Sequence, residues 1–132
     1  MPGLRVLVVD DLLDTIEVVC MLLDTLGHDA RGATSGTRAL EVAAAHDPQL
    51  VICDIGMPDL SGYEVARELR RRAAGKPMHL VAISGWAANA DRVEALAAGF
   101  DQHFLKPATE AVIREILAAA TARFATTPTA PA

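Results

Sequence analysis

The sequence has few cysteines, no long hydrophobic run and a shortage of positive charge. Its two cysteines, Cys20 and Cys53, lie 33 positions apart by their numbers, each inside an apolar run. That spacing excludes a disulfide framework and the closely spaced ligand pairs of a zinc site, and both thiols are expected to be buried and free. Twelve lysines and arginines against seventeen aspartates and glutamates give a formal charge of −5, which argues against a nucleic-acid footprint. No apolar run approaches the roughly 18 residues of a membrane span. The opening Met1-Pro2-Gly3-Leu4-Arg5 lacks the apolar core of a signal peptide, so the chain is expected to be cytoplasmic.

What is present fits one folded domain. At 132 residues the chain can bury a core without staples, and an apolar content of 52% with 22% charged residues is that of a globular protein. Leu4–Val9, Leu50–Cys53 and Leu80–Ile83 are nearly all apolar, as strands covered on both faces are; His103–Leu105 is a weaker candidate. His28–Ala33 is polar and poorly patterned and belongs at an edge. Between these runs lie helical patterns. Ile16, Val19, Cys20, Leu23 and Leu26 share one face, with Asp14 and Glu17 reading as a capping-box start and Gly27 as the C-terminal cap. Ser35–His46 is an alanine-rich helix, and Ser61 with Glu64 opens another that runs to about Arg72. Asn89 can cap a short helix ending near Gly99, and Val112, Ile113, Ile116, Leu117 and Ala120 stripe the last one. Alternating strands and helices imply a doubly wound α/β domain with right-handed crossovers. Residues 1–125 are expected to form it, with 126–132, TTPTAPA, a disordered tail.

In such sheets ligands bind outside the carboxyl ends of the strands. Those ends carry Asp10-Asp11, Asp54, Ser84-Gly85 and Lys106-Pro107. Clustered carboxylates repel one another, and a hard cation with oxygen ligands, Mg²⁺, relieves the repulsion. Asp54 could then serve as a nucleophile that forms an aspartyl phosphate, with Lys106 and Mg²⁺ stabilising the phosphoryl charge. The Ser84 hydroxyl can donate to a phosphoryl oxygen, and Gly56 lets the backbone lend a carbonyl to the metal. Singly, each residue has a plain structural reading: a turn aspartate, a loop start, a surface lysine. Their coincidence at four strand ends favours the shared site.

The segments VLVVDD, DIGMP, SGYE, ISGW and FLKP, in this order and spacing, resemble the receiver domains of two-component response regulators. The likeness spans about Leu4 to Phe124. It implies a flavodoxin-like (βα)5 sandwich whose five-stranded parallel sheet runs 2-1-3-4-5. It implies Asp54 as phosphoacceptor, Asp11, Asp54 and the Gly56 carbonyl as direct Mg²⁺ ligands, and Asp10 acting through metal-bound water. Ser84 matches the switch serine or threonine, Lys106 matches the phosphate-binding lysine, and Lys106-Pro107 matches a bond that is commonly cis. His103 stands where the family usually has Tyr or Phe, so it reads either as a switch residue or as a partly exposed strand residue. Trp86, the one tryptophan, is expected to cover the loop after the fourth strand and to report on the site by fluorescence.

The implied function is a signalling switch that is not a turnover enzyme on an external metabolite. A histidine kinase or phosphotransfer protein supplies the phosphoryl group, and the face made by the fourth helix, fifth strand and fifth helix passes the signal to a protein partner. Neither nucleic acid nor membrane is an expected partner. The chain is expected to be a monomer or a weak, phosphorylation-dependent homodimer. The competing class is a receiver-like interaction module that works without phosphorylation. A haloacid-dehalogenase-type phosphatase would need a second aspartate two residues after Asp54, where Gly56 stands. MPDLSGYEVARELR and AAGFDQHFLKP look most like receivers of hybrid sensor kinases.

Overall fold

A computed structural model describes residues 3–85 and 91–125, with only the backbone at 91 and 92. Asn89, Trp86 and the tail, on which expectations were placed above, lie outside the described residues. Five strands alternate with five helices: β1 Arg5–Val9, α1 Leu13–Thr25, β2 Asp29–Ala33, α2 Gly36–His46, β3 Leu50–Asp54, α3 Gly62–Ala73, β4 His79–Ser84, α4 Asp91–Ala98, β5 Gln102–Leu105 and α5 Glu110–Ala125. The strands form one parallel sheet in the order β2-β1-β3-β4-β5, as the sequence implied. The polar run is the edge strand β2.

Side chains alternate across the sheet and build two cores. Leu7, Val9, Val51, Cys53, Leu80 and Ala82 pack with Ala39 and Val42 of α2, Val65, Ala66 and Leu69 of α3, and Ala95 and Ala98 of α4. On the other face Val6, Val8, Leu50, Ile52, Val81 and Ile83 meet Ile16, Val19 and Leu23 of α1 and Ile113, Ile116, Leu117 and Ala120 of α5. A central strand therefore needs apolar residues at odd and even positions alike, which is why its sequence shows no period-two pattern.

The helix ends follow local chemistry. Ser35 Oγ accepts from Arg38 N (3.1 Å) and Ser61 Oγ from Glu64 N (3.3 Å), so both serines cap the helices predicted for them. The α1 start differs from expectation. Its N-cap is Leu12, which makes no side-chain cap bond, and Asp14 lies within the first turn. Asp10 Oδ1 accepts Leu12 N instead (2.9 Å), so the helix entry is tied to the residue that ends β1. Asp14 still faces the favourable positive end of the helix dipole. Gly27, at φ 92, follows the C-cap of α1 as expected.

At the amino end of the sheet one carboxylate joins three elements. Asp101 accepts from Arg70 Nη2 of α3 (2.8 Å), Arg123 Nη2 of α5 (3.0 Å) and Leu80 N of β4 (2.8 Å). Arg70 also donates to the carbonyls of Gly99 and Met78.

Candidate functional site

The strand register brings the predicted residues together at the opposite, carboxyl end. Val9 pairs with Cys53, which sets Asp10 beside Asp54; Asp54 pairs with Ile83, one residue before Ser84; Ser84 pairs with Leu105, one residue before Lys106. Four of the five strands, β1, β3, β4 and β5, thus carry a polar side chain at or just past their ends on the same rim. One oxygen each from Asp10, Asp11 and Asp54 lies within 4.8 Å of the others. Asp10 and Asp54 are buried, whereas Asp11 is exposed. Lys106 Nζ stands 3.1 Å from Asp54 Oδ2 and 3.8 Å from Asp10 Oδ2.

The charges act on one another. Burial raises the Asp10 pKa above its ordinary value, the Asp54 and Asp11 charges add to that rise, and the Leu12 amide and Lys106 oppose it. Burial alone would lower the Lys106 pKa, but its hydrogen bond to Asp54 and the three carboxylate charges together raise it. The ammonium is therefore held charged beside Asp54. Burial also pushes the Cys53 thiol far up, and the neighbouring Asp54 and Asp10 charges push it further. That thiol is inert core.

Three oxygen donors of one charge, two of them out of water, form a set that a hard divalent cation fits. Among the described residues, Asp10, Asp11 and Asp54 are the carboxylates grouped closely enough to hold one. Gly56 N donates to Asp54 Oδ1 (3.2 Å), and a Cβ at Gly56 would meet nothing within 4 Å. Protein crowding therefore does not require glycine there. Gly62 is the crowded one: its Cβ would stand 2.7 Å from the Asp54 carbonyl oxygen, so α3 starts directly against the Asp54–Ile55 backbone. Ser84 is buried, and its Oγ lies 2.6 Å from His103 Nε2. Lys106-Pro107 is cis, as the resemblance implied.

Two features escaped the sequence reading. Asp59, in the loop after β3, accepts from the amides of Gly36 and Thr37 and from the Thr37 hydroxyl, so it caps α2 from a distance. These donors hold its carboxyl well below the usual range. A groove of about 370 Å³ also opens beside Asp54, walled by Leu12, Thr15 and Val18 of the α1 region and by Pro107 and Ala108. No local sequence pattern signals either one, because each joins segments that are remote along the chain.

Residues 6–118 match the family model described as the response regulator receiver domain. The chain belongs to that family. Among curated relatives, this receiver is 39% identical over 134 residues to the virulence sensor protein BvgS of Bordetella pertussis, covering 98% of this chain and 11% of BvgS. It is 35% identical over 102 residues to the transcriptional regulatory protein KdpE of Mycobacterium tuberculosis, covering 77% of this chain and 44% of KdpE. The probable transcriptional regulator ycf27 of Porphyridium aerugineum is 33% identical over 117 residues, covering 86% of this chain. The receiver spans about half the length or less of these relatives. Among solved structures, a CheY-like receiver domain from Methylobacillus flagellatus superposes with a TM-score of 0.80 at 31% identity, covering 89% of this chain and 98% of that one. A receiver domain protein from Clostridium thermocellum gives a TM-score of 0.83 at 24% identity, covering 95% and 98%; that likeness bears on the fold alone. The class of this chain is accordingly a phosphoacceptor signalling switch of two-component systems. Among the described residues, no helix is long and apolar enough to cross a membrane.

Proposed function

We propose that this receiver takes a phosphoryl group onto Asp54 from a histidine kinase or phosphotransfer protein, and signals by protein contact. One observation carries the assignment: Asp54 is a buried carboxylate, 3.1 Å from the Lys106 ammonium, in a cluster that also contains Asp10 and Asp11. An Asp54 carboxylate oxygen attacks phosphorus, the P–N bond to the donor imidazole breaks, and the imidazole leaves with the bonding pair and is then protonated from solvent. A Mg²⁺ held by Asp11, Asp54, the Gly56 carbonyl and, through water, Asp10 would offset the carboxylate repulsion and the charge that grows on the phosphoryl oxygens. Lys106 supplies a fixed positive charge at the same place. Ser84 offers its hydroxyl to the phosphoryl group, and together with His103 forms the switch at the ends of β4 and β5. Hydrolysis of the aspartyl phosphate resets the switch, so there is no turnover of an external metabolite.

The surfaces support two contacts. Leu12 and Val18 are exposed and line the groove that opens on Asp54, Leu13 and Met21 are exposed on α1, and together they suit an apolar face on the donor. Val93, Leu96 and Leu105 are exposed on the α4–β5 side, where the downstream partner would bind. The receivers of sensor proteins such as BvgS fit the same reading, with this domain acting within a phosphorelay.

The test is intact mass after incubation with acetyl phosphate, with and without Mg²⁺. A Mg²⁺-dependent gain of one phosphoryl group that disappears in Asp54→Ala is expected. A gain that survives in Asp54→Ala overturns the acceptor assignment, and no gain under any condition points to the phosphorylation-independent module.

A further inference from the structure

The bond between Ser84 and His103 has a direction that the phosphoryl group would fix. A serine hydroxyl has one proton and two lone pairs, and a neutral imidazole nitrogen is either a donor or an acceptor. Ser84 Oγ lies 2.6 Å from His103 Nε2, and Ser84 is only 5% exposed, so this is a principal partner of a buried hydroxyl. If that one proton goes to a phosphoryl oxygen on Asp54, Ser84 can meet His103 only as an acceptor. An Nε2 lone pair would compete for the same proton; an Nε2–H would not.

The backbone leaves little else to vary. Lys106 N donates to Ser84 O (2.7 Å), and Ser84 pairs with Leu105 while Ala82 pairs with His103. The serine is therefore tied to β5 through its carbonyl and its side chain, with the hydroxyl orientation as its main remaining freedom. We propose that His103 is a positioning residue that donates Nε2–H to Ser84 Oγ and so turns the serine proton toward the phosphoryl group. This rests on the reading of Asp54 as acceptor. A phenylalanine at this position could not donate, whereas the imidazole can, and the bond to a buried hydroxyl sets His103 apart from a merely surface-facing strand residue.

The experiment titrates beryllofluoride, a phosphoryl analogue, in Mg²⁺ and follows backbone amide NMR shifts around Asp54. It uses wild type, His103→Phe, His103→Gln, Ser84→Ala and the Ser84→Ala/His103→Phe double variant. The nitrogen-15 shift of His103 Nε2 is read in the wild-type complex. The expected results are a protonated Nε2, an affinity loss of about fivefold in His103→Phe from one net hydrogen bond, and retention within about twofold in His103→Gln, whose amide can donate. In the Ser84→Ala background, His103→Phe should change nothing further. An unprotonated Nε2 in the complex, or a His103→Phe loss that persists without the serine hydroxyl, overturns the inference alone. A wild type that binds no beryllofluoride in Mg²⁺ overturns the acceptor reading and this inference with it.

Discussion

Replacing Asp10 by asparagine should make the metal-free receiver more stable while weakening its response to Mg²⁺. Asp10 lies within 4.8 Å of both Asp11 and Asp54 and 3.8 Å from Lys106. At an effective dielectric near 20, each carboxylate repulsion is about 3 kcal/mol and the lysine attraction about 4 kcal/mol. Asp11 is exposed and Lys106 partly so, and solvent trims their contributions most. The repulsion from buried Asp54 and the desolvation of Asp10 itself are trimmed least. Asparagine removes both and keeps an oxygen to accept the Leu12 amide, so the net gain is about 1–2 kcal/mol, or about 4–7 °C in Tm for a chain of this size. The sign of the pH dependence follows from the raised Asp10 pKa. The folded state then binds the extra proton, so the wild type has this contribution in full below the ordinary value of 3.8 and loses it as pH rises through the folded pKa. Thermal unfolding in EDTA should therefore show the two proteins nearly alike at pH 4 and the variant ahead at pH 7. Adding Mg²⁺ should raise the wild-type Tm more than that of Asp10→Asn. A variant less stable than wild type in EDTA at pH 7 would refute the electrostatic argument.

Other substitutions test the packing. Gly62→Ala should cost about 1–3 kcal/mol in urea unfolding and slow phosphoryl uptake, because the new methyl presses on the Asp54 carbonyl. Arg70→Met removes the hydrogen bonds to Met78, Gly99 and Asp101 and should lower stability by about 2–3 kcal/mol, read as a lower urea midpoint at unchanged slope. Ala74 closes α3 at φ 50. Ala74→Gly relieves a left-handed strain of about 1–2 kcal/mol against a smaller gain in unfolded-chain entropy, so thermal unfolding should show a net gain of about 0.5–1 kcal/mol.

Much of this fold was legible because the signals are local. Leu50–Cys53 is apolar throughout because both sheet faces are covered, and its end at Asp54 marks where the strand reaches the carboxyl rim. Ser61 announces its helix because a cap acts over three residues, whereas the helix read as Ser35–His46 from its alanines has Ser35 as its cap. The same locality explains the error at α1: Asp14 and Glu17 have capping-box spacing, but Asp10 had already claimed the Leu12 amide and set the start. Asp59 and Arg70 were silent because most of their partners, Gly36, Thr37, Gly99 and Asp101, lie 22 to 31 residues away, and nothing near them in sequence marks the pairing. The site residues were found through the strand ends, whereas the link between Ser84 and His103 needed the register of β4 and β5.

The two ends of the sheet differ in what can change their charge. At the amino end, Asp101 is gripped by two guanidinium groups, one from α3 and one from α5. At the carboxyl end, every charge is one that a cation or a phosphoryl group can rewrite. A change written at the rim would therefore meet a fixed anchor behind it. Displacement should run sideways, into the β4–β5 ends and their loops, and leave the far end of the strands in place. The Arg70–Asp101–Arg123 clamp would then be the still point against which the switch moves.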